Sequence, residues 1–207
     1  GDQMTIGRAL RIGLTGGIAS GKSHIARALV REGAYVIDTD KISHSLTQAG
    51  GAALPLLRAR FGDDMFDGEA LNRKRFGDRV FADKESLQAL NAILHPMIRA
   101  EVERRIEENK DLPALVIDVP LLYEVGWDSM CDEVWCAYAP VYEQIRRLMR
   151  RDEHGFLQAF RRVRAQLHAK EKRRRADHSI DTRGTKEESA ARAISLWQDA
   201  LRRARGG

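Results

Sequence analysis

The spacing of apolar and polar positions divides the chain into short buried runs and longer amphipathic ones. "LRIGLT" (10–15) is a short apolar run ending in glycines, which predicts a buried strand. From Lys22 the period becomes helical. Ile25, Ala28 and Leu29 share a face, and Gly33 suits a C-terminal cap. "AYVID" (34–38) predicts a second strand. The succession strand, glycine-rich loop, helix, strand predicts a parallel sheet with crossover helices.

Residues 41–110 differ in character. They are mostly helical in pattern, with turn signals at "QAGGA" (48–52) and "FGDDMFDGE" (61–69), and they predict a helical lobe inserted beside the sheet. Strand chemistry returns in "ALVIDV" (114–119) and "DEVWCAYA" (132–139). Pro140 suits the first turn of a helix running to about Arg151. A basic helical stretch follows, then a short strand near "HSID" (178–181). A last helix is expected from about Lys186 to Arg205, with Ala190, Ala193, Ile194, Trp197 and Leu201 on one side. The pattern holds no internal repeat and no low-complexity linker, so one domain over 4–207 is expected, not domains in series.

Composition changes this picture little. About 43% of the 207 residues are hydrophobic, and no apolar run approaches the ~20 residues of a membrane helix. "GDQM" reads as an addition ahead of a native Met4, and no signal peptide fits before the glycine-rich loop; a cytoplasmic protein is expected. Cys131 and Cys136, in "CDEVWC", have neither disulfide-framework nor zinc-ligand spacing and are expected as reduced thiols in or near a strand. Charge is more informative. The net +5 is uneven: residues 146–175 hold twelve Arg and Lys against three Asp and Glu, and the remainder is mildly acidic. A solvated helix surface, a nucleic-acid tract and a basic flap over a polyphosphate all fit such a segment.

"GLTGGIASGKSH" (13–24) adds the chemistry that the basic segment must be weighed against. Gly16 to Ser23 match G-x-x-x-x-G-K-[ST] in full, with the required strand before and helix after. Glycines let the backbone curl until its N–H groups point inward at phosphate oxygens, and the helix adds its positive N-terminal end. Lys22 can reach the β and γ phosphates of ATP, and the Ser23 hydroxyl can ligate Mg²⁺. His24, in the first helical turn, reads as a tolerated variation that can also touch nucleotide.

A GTPase would need N-K-x-D after the next acidic strand; "NKDL" (109–112) has its Asp one position early and lies before that strand. "ALVID" places Asp118 at a strand's carboxyl end, where ligands gather in open α/β sheets, either to hold Mg²⁺ through water or to cap a turn. "VIDTD" places Asp38 and Asp40 two apart, on one face if the chain stays extended. A kinase needs a carboxylate near the attacking hydroxyl, and Asp40, further out, is the candidate base; Asp38 is structural or a metal contact. Both also suit a turn or a helix N-cap.

Along nearly its whole length the sequence resembles the dephospho-coenzyme A kinase family. The resemblance is carried by "GLTGGIASGKS", "GAYVIDTDKIS" (33–43), "DGEALNRKRFGDRVF" (67–81), "LNAILHPMI" (90–98), "VIDVPLLYE" (116–124), "QIRRLMRRD" (144–152), "RVRAQ" (162–166) and "RADHSIDTRG" (175–184), in this order and spacing. It implies ATP-dependent phosphorylation of the ribose 3′-hydroxyl of dephospho-coenzyme A. The implied fold is α/β, a P-loop kinase-like three-layer arrangement of a parallel sheet flanked by helices, with a helical acceptor-binding lobe (41–110) and a lid (150–166).

By position, the resemblance has Gly17, Ile18, Ala19, Ser20, Gly21, Lys22, Ser23 and His24 holding the ATP phosphates, with Mg²⁺ on Ser23 and Asp118. Asp40 becomes the base for the 3′-hydroxyl. Arg151 becomes the lid arginine that closes on the transferring phosphate, supported by Arg147 and Arg162. His95 faces the acceptor, and Leu121, Leu122, Tyr123 and Glu124 shape its pocket. The chain departs from the family pattern at Ala19 (often Gly), His24 (often Thr), Asn72 (usually Asp), Lys172 (often Arg) and "DTRG" (usually Asp-Asn-x-Gly). Ala19 keeps its N–H but needs a φ that Ala tolerates. The expected partner is dephospho-coenzyme A, with no nucleic acid and no membrane, and the protein is expected as a monomer or weak homo-oligomer. Two alternatives remain: a P-loop kinase for a nucleoside monophosphate or another small molecule, and a nucleic-acid-binding ATPase that uses the basic tract.

Overall fold

In the computed structural model, which describes residues 8–152, 163 and 169–206, the apolar run at the start of the chain becomes β1 (Leu10–Gly16), the central strand of a sheet. The helix α1 (Lys22–Arg31) and the edge strand β2 (Val36–Asp38) follow. Gly33 has φ +91°, and the N–H groups of Gly33 and Ala34 close on Val30 and Leu29 carbonyls, a left-handed helix ending that glycine makes without strain.

After residue 108 come β5 (Ala114–Asp118), β6 (Glu133–Tyr138), α6 (Val141–Asp152), α7 (Ala169–Arg175), β7 (His178–Asp181) and α8 (Lys186–Gly206). The five-stranded parallel sheet has the order β2-β5-β1-β6-β7. Leu14 pairs with Asp118, and Gly16 with Ala137. Ile12, Leu14, Val116 and Trp135 of the sheet, Ile25 and Leu29 of α1, and Ala193, Trp197 and Ala200 of α8 build one core. The buried stripe of α8 is Ser189, Ala193, Trp197 and Ala200. It shares Ala193 and Trp197 with the expected apolar face and adds Ser189, whose hydroxyl is satisfied by the Thr185 and Lys186 carbonyls and can be buried.

Residues 38–108 are a second compact unit. It contains α2 (Thr39–Thr47), α3 (Leu54–Phe61), a two-stranded hairpin of β3 (Phe66–Asp67) and β4 (Ala70–Leu71), α4 (Arg73–Ala82) and α5 (Lys84–Glu108). Leu94, Ile98, Val102 and Ile106 recur every four residues as the buried face of α5. Phe61 and Phe76 meet edge to face at 5.1 Å between ring centroids.

Asn72 caps α4 by accepting the Arg75 N–H at 3.0 Å, while its amide donates to Asp67 at 2.8 Å. An aspartate here could cap but could not donate, so the departure from the family pattern adds a bond.

Candidate active site

The phosphate-binding loop is held in its curl by close approaches. A Cβ on Gly16 would lie 2.9 Å from the Ala137 carbonyl oxygen. Gly21 has φ +90°, and a Cβ there would meet the Thr182 side chain at 2.9 Å. Ala19 has φ +55°, the left-handed region, so the expectation of an Ala-compatible φ is not met. Left-handed backbone costs an L-residue about 1–2 kcal/mol, which the surrounding contacts must offset. The Ser20 N–H closes a turn on the Gly17 carbonyl at 3.1 Å.

The first helical bond of α1 runs from the Ile25 N–H to the Gly21 carbonyl. The N–H groups of Lys22, Ser23 and His24 therefore precede the ladder, and no acidic side chain stands in that first turn. That end of the helix is suited to an anion.

Lys22 Nζ is ion-paired with Asp118 Oδ1. Register explains the meeting: Asp118 ends β5 beside Leu14, two residues before the loop begins. The side chains are 12% and 7% exposed, so neither charge is screened by bulk water. Ser23, next to Lys22 in sequence, is exposed. Among the described residues no cluster of three His, Cys, Asp or Glu could form a metal cage. One hydroxyl and one carboxylate suit a Mg²⁺ ion that keeps waters and is shared with substrate phosphates. His24 Nε2 lies 2.8 Å from the Lys186 carbonyl oxygen and donates to it, tying α1 to the start of α8.

Residues from α6 and the turn after β7 pack behind the loop. Ile18 and Ala19 lie against Ile145 and Leu148. Gln144 Nε2 donates to the Ile18 carbonyl at 2.9 Å. Arg147 Nη1 donates to the Ala19 carbonyl at 3.2 Å and to Thr182 Oγ1 at 3.0 Å, and its Nη2 to the Thr182 carbonyl at 2.8 Å. Thr182 Oγ1 donates to the Ser20 carbonyl at 2.5 Å. Gln144 and Thr182 escaped the sequence reading. The signal for Gln144 was its spacing three residues before Arg147 on one helix face. For Thr182 the signal was its place in "DTRG", where the chain departs from the family pattern.

Of the PLLYE residues, Leu122 and Tyr123 are buried and Leu121 is exposed. Burial pushes the Tyr123 hydroxyl up to about 12. Lys172, wholly buried, pairs with Glu124 at 3.0 Å, and the Arg175 guanidinium lies 4.2 Å above the Tyr123 ring. Arg173 covers Tyr138, Arg146 pairs with Glu143, and Arg174 with Glu171. Much of the described basic tract is thus committed within the protein. Cys136 is buried and Cys131 partly so; both are free thiols that burial pushes up, to about 11 and about 12.

The carboxylates of "VIDTD" do not share a strand face. Asp38 Oδ1 accepts the Lys41 N–H at 3.1 Å and starts α2, so the chain leaves the extended form at Thr39. Asp40 sits in the first helical turn, exposed. His95 lies in α5 directly before Pro96, and burial lowers its pKa. Arg151 is exposed near the end of α6. Arg162 and most of the expected lid lie outside the described residues.

The CoaE family model, described as dephospho-CoA kinase, matches residues 10–188. The chain belongs to the dephospho-CoA kinase family. It is 42% identical over 193 residues to the dephospho-CoA kinase of Symbiobacterium thermophilum, covering 91% of this chain and 80% of the relative. A crystal structure from Thermus thermophilus superposes with a TM-score of 0.82 at 31% identity, covering 94% of this chain and 98% of that one. A dephospho-CoA kinase from Campylobacter jejuni gives 0.62 at 25% identity, over 92% and 96% of the two chains. The P-loop kinase-like α/β fold expected from the sequence is the fold observed.

Proposed function

We propose that this protein transfers the γ-phosphoryl group of ATP to the ribose 3′-hydroxyl of dephospho-coenzyme A, giving coenzyme A and ADP. The observation that carries this is a family match over residues 10–188 that includes a fully formed phosphate-binding loop with Lys22 at its end. A bond forms between the 3′-oxygen and the γ-phosphorus, and the bond from that phosphorus to the β–γ bridging oxygen breaks. ADP leaves with the bridging oxygen, and the hydroxyl proton passes to Asp40. Such transfers leave little covalent work to the protein, so alignment and charge neutralisation supply most of the acceleration.

In this reading Lys22 exchanges Asp118 for the β and γ phosphates when ATP binds. Asp118 and Ser23 are the residues that would hold Mg²⁺, which neutralises phosphate charge. The stretch from Gly17 to His24 receives the phosphates on backbone N–H groups other than that of Ser20, which closes the turn on Gly17. Arg151 and Arg162 meet the transferring group. His95 faces the acceptor, and so do Leu121 and Glu124, whose own segment is anchored by the buried Leu122 and Tyr123.

The test is phosphoryl transfer from ATP across a panel of acceptors. Turnover of dephospho-coenzyme A, with product phosphorylated on the 3′-oxygen, is expected. Turnover of a nucleoside monophosphate without dephospho-coenzyme A would overturn the acceptor assignment. Steeply salt-dependent DNA or RNA binding without any acceptor turnover would overturn the kinase assignment.

A further inference from the structure

Three consecutive carbonyls of the phosphate-binding loop are each held by a side chain from elsewhere in the fold. Ile18 is held by Gln144, Ala19 by Arg147 and Ser20 by Thr182. The peptide unit is planar and trans, so a carbonyl fixed in one direction points the following N–H the opposite way. Holding the Ile18 carbonyl orients the Ala19 N–H, and holding the Ser20 carbonyl orients the Gly21 N–H. The middle carbonyl belongs to Ala19, whose φ of +55° is the one non-glycine positive value among the described residues, a conformation that an L-residue keeps only when its surroundings hold it. Its N-terminal and C-terminal neighbours are pinned as well.

We propose that Gln144, Arg147 and Thr182 form a brace that sets the phosphate-binding loop in its ATP-receiving shape before ATP arrives, and that they are positioning residues for ATP. This rests on the reading of the loop as an ATP site. Arg147 acts through the loop. Its Nε is on Glu143 at 3.1 Å, its Nη1 on two acceptors and its Nη2 on a third, so little of its five-donor guanidinium is left for a phosphate. The Thr182 hydroxyl links the parts, accepting from Arg147 and donating to Ser20.

Gln144 carries an independent sign. Its Oε1 is buried with no hydrogen-bond partner among the described residues, while its Nε2 makes the bond to Ile18. An unpartnered buried oxygen destabilises a fold, and a methionine of similar volume would remove that cost. A glutamine here gives the fold no packing advantage over methionine; the advantage it gives is the hold on Ile18.

The experiment compares wild type with Gln144→Met, Thr182→Val and Thr182→Ser. ATP affinity is read by calorimetry with ATP and no acceptor, apo stability by thermal melting, and kcat and KM for ATP with dephospho-coenzyme A. Gln144→Met is expected to melt at or above the wild-type temperature yet bind ATP about fivefold more weakly. Thr182→Val is expected to weaken ATP about tenfold and raise its KM, and Thr182→Ser, which keeps the hydroxyl, to recover most of the loss. Unchanged ATP affinity in Gln144→Met and Thr182→Val, whatever their melting temperatures, would overturn the brace. If Thr182→Val does not fold, Gln144→Met decides alone. ATP binding by a wild type that does not phosphorylate dephospho-coenzyme A would overturn the acceptor reading and leave the brace to be judged on affinity.

Discussion

The loop at 16–24 and the acid pair at 38–40 reach their geometry by opposite routes. The loop is shaped from a distance: Gln144, Arg147 and Thr182 lie more than 120 residues away along the chain. The acid pair is shaped by its neighbours, because Asp38 caps α2 through the N–H three residues on, and Asp40 follows in the first turn. A loop whose backbone donors must all point one way needs outside support, since no local hydrogen-bond ladder fixes it. A carboxylate on a capped helix needs only the cap. Damage to the first region should therefore appear in ATP binding, and damage to the second in turnover or local stability.

The largest expected effect separates the regions at once. Lys22→Met should lower turnover by about 10³-fold, as loss of a cation aimed at developing phosphate charge does, and weaken ATP as well. Phosphoryl-transfer kinetics with an ATP titration check it. Asp40→Asn should lower kcat by about 10²-fold while calorimetry finds ATP affinity unchanged. An unchanged kcat would remove Asp40 from the chemistry.

Next comes Gly21→Ala. It places a side chain at φ +90° against Thr182, and should cost about 1–3 kcal/mol in denaturant unfolding together with a loss of ATP affinity. Asp38→Ala loses a cap and should cost about 1 kcal/mol while leaving ATP affinity untouched, the local counterpart of the same test. The smallest effect concerns pH. Burial holds His95 below the usual histidine range, so as pH falls through about 6.5 the unfolded chain takes up a proton that the folded chain resists, and stability drops. His95→Gln should flatten that part of the curve of unfolding free energy against pH.

Much of the fold was legible because its signals are local. The period change at Lys22, the glycine at 33 and the proline at 140 mark ends that the structure keeps at Lys22, Arg31 and Val141. "HSID" is β7 residue for residue. On α8 the expected face holds at Ala193, Trp197 and Leu201, and it leaves out Ser189 because periodicity counts a serine as polar, whereas its hydroxyl is satisfied within the helix. For the acid pair the sequence left two geometries open, a shared strand face or a helix N-cap, and the structure takes the second, with Asp38 as the cap.

The sequence by itself determined that a glycine-rich loop of phosphate-binding pattern joins a strand to a helix, with Lys22 and Ser23 at its end, and that Asp118 closes a later strand. Glycine spacing and strand chemistry are written in adjacent residues. Only the tertiary structure decided that Lys22 pairs with Asp118, that Lys172 is buried against Glu124, and that Arg147 stands behind the loop. These depend on strand order and helix rotation, which bring together residues whose separation along the chain carries no trace of their contact.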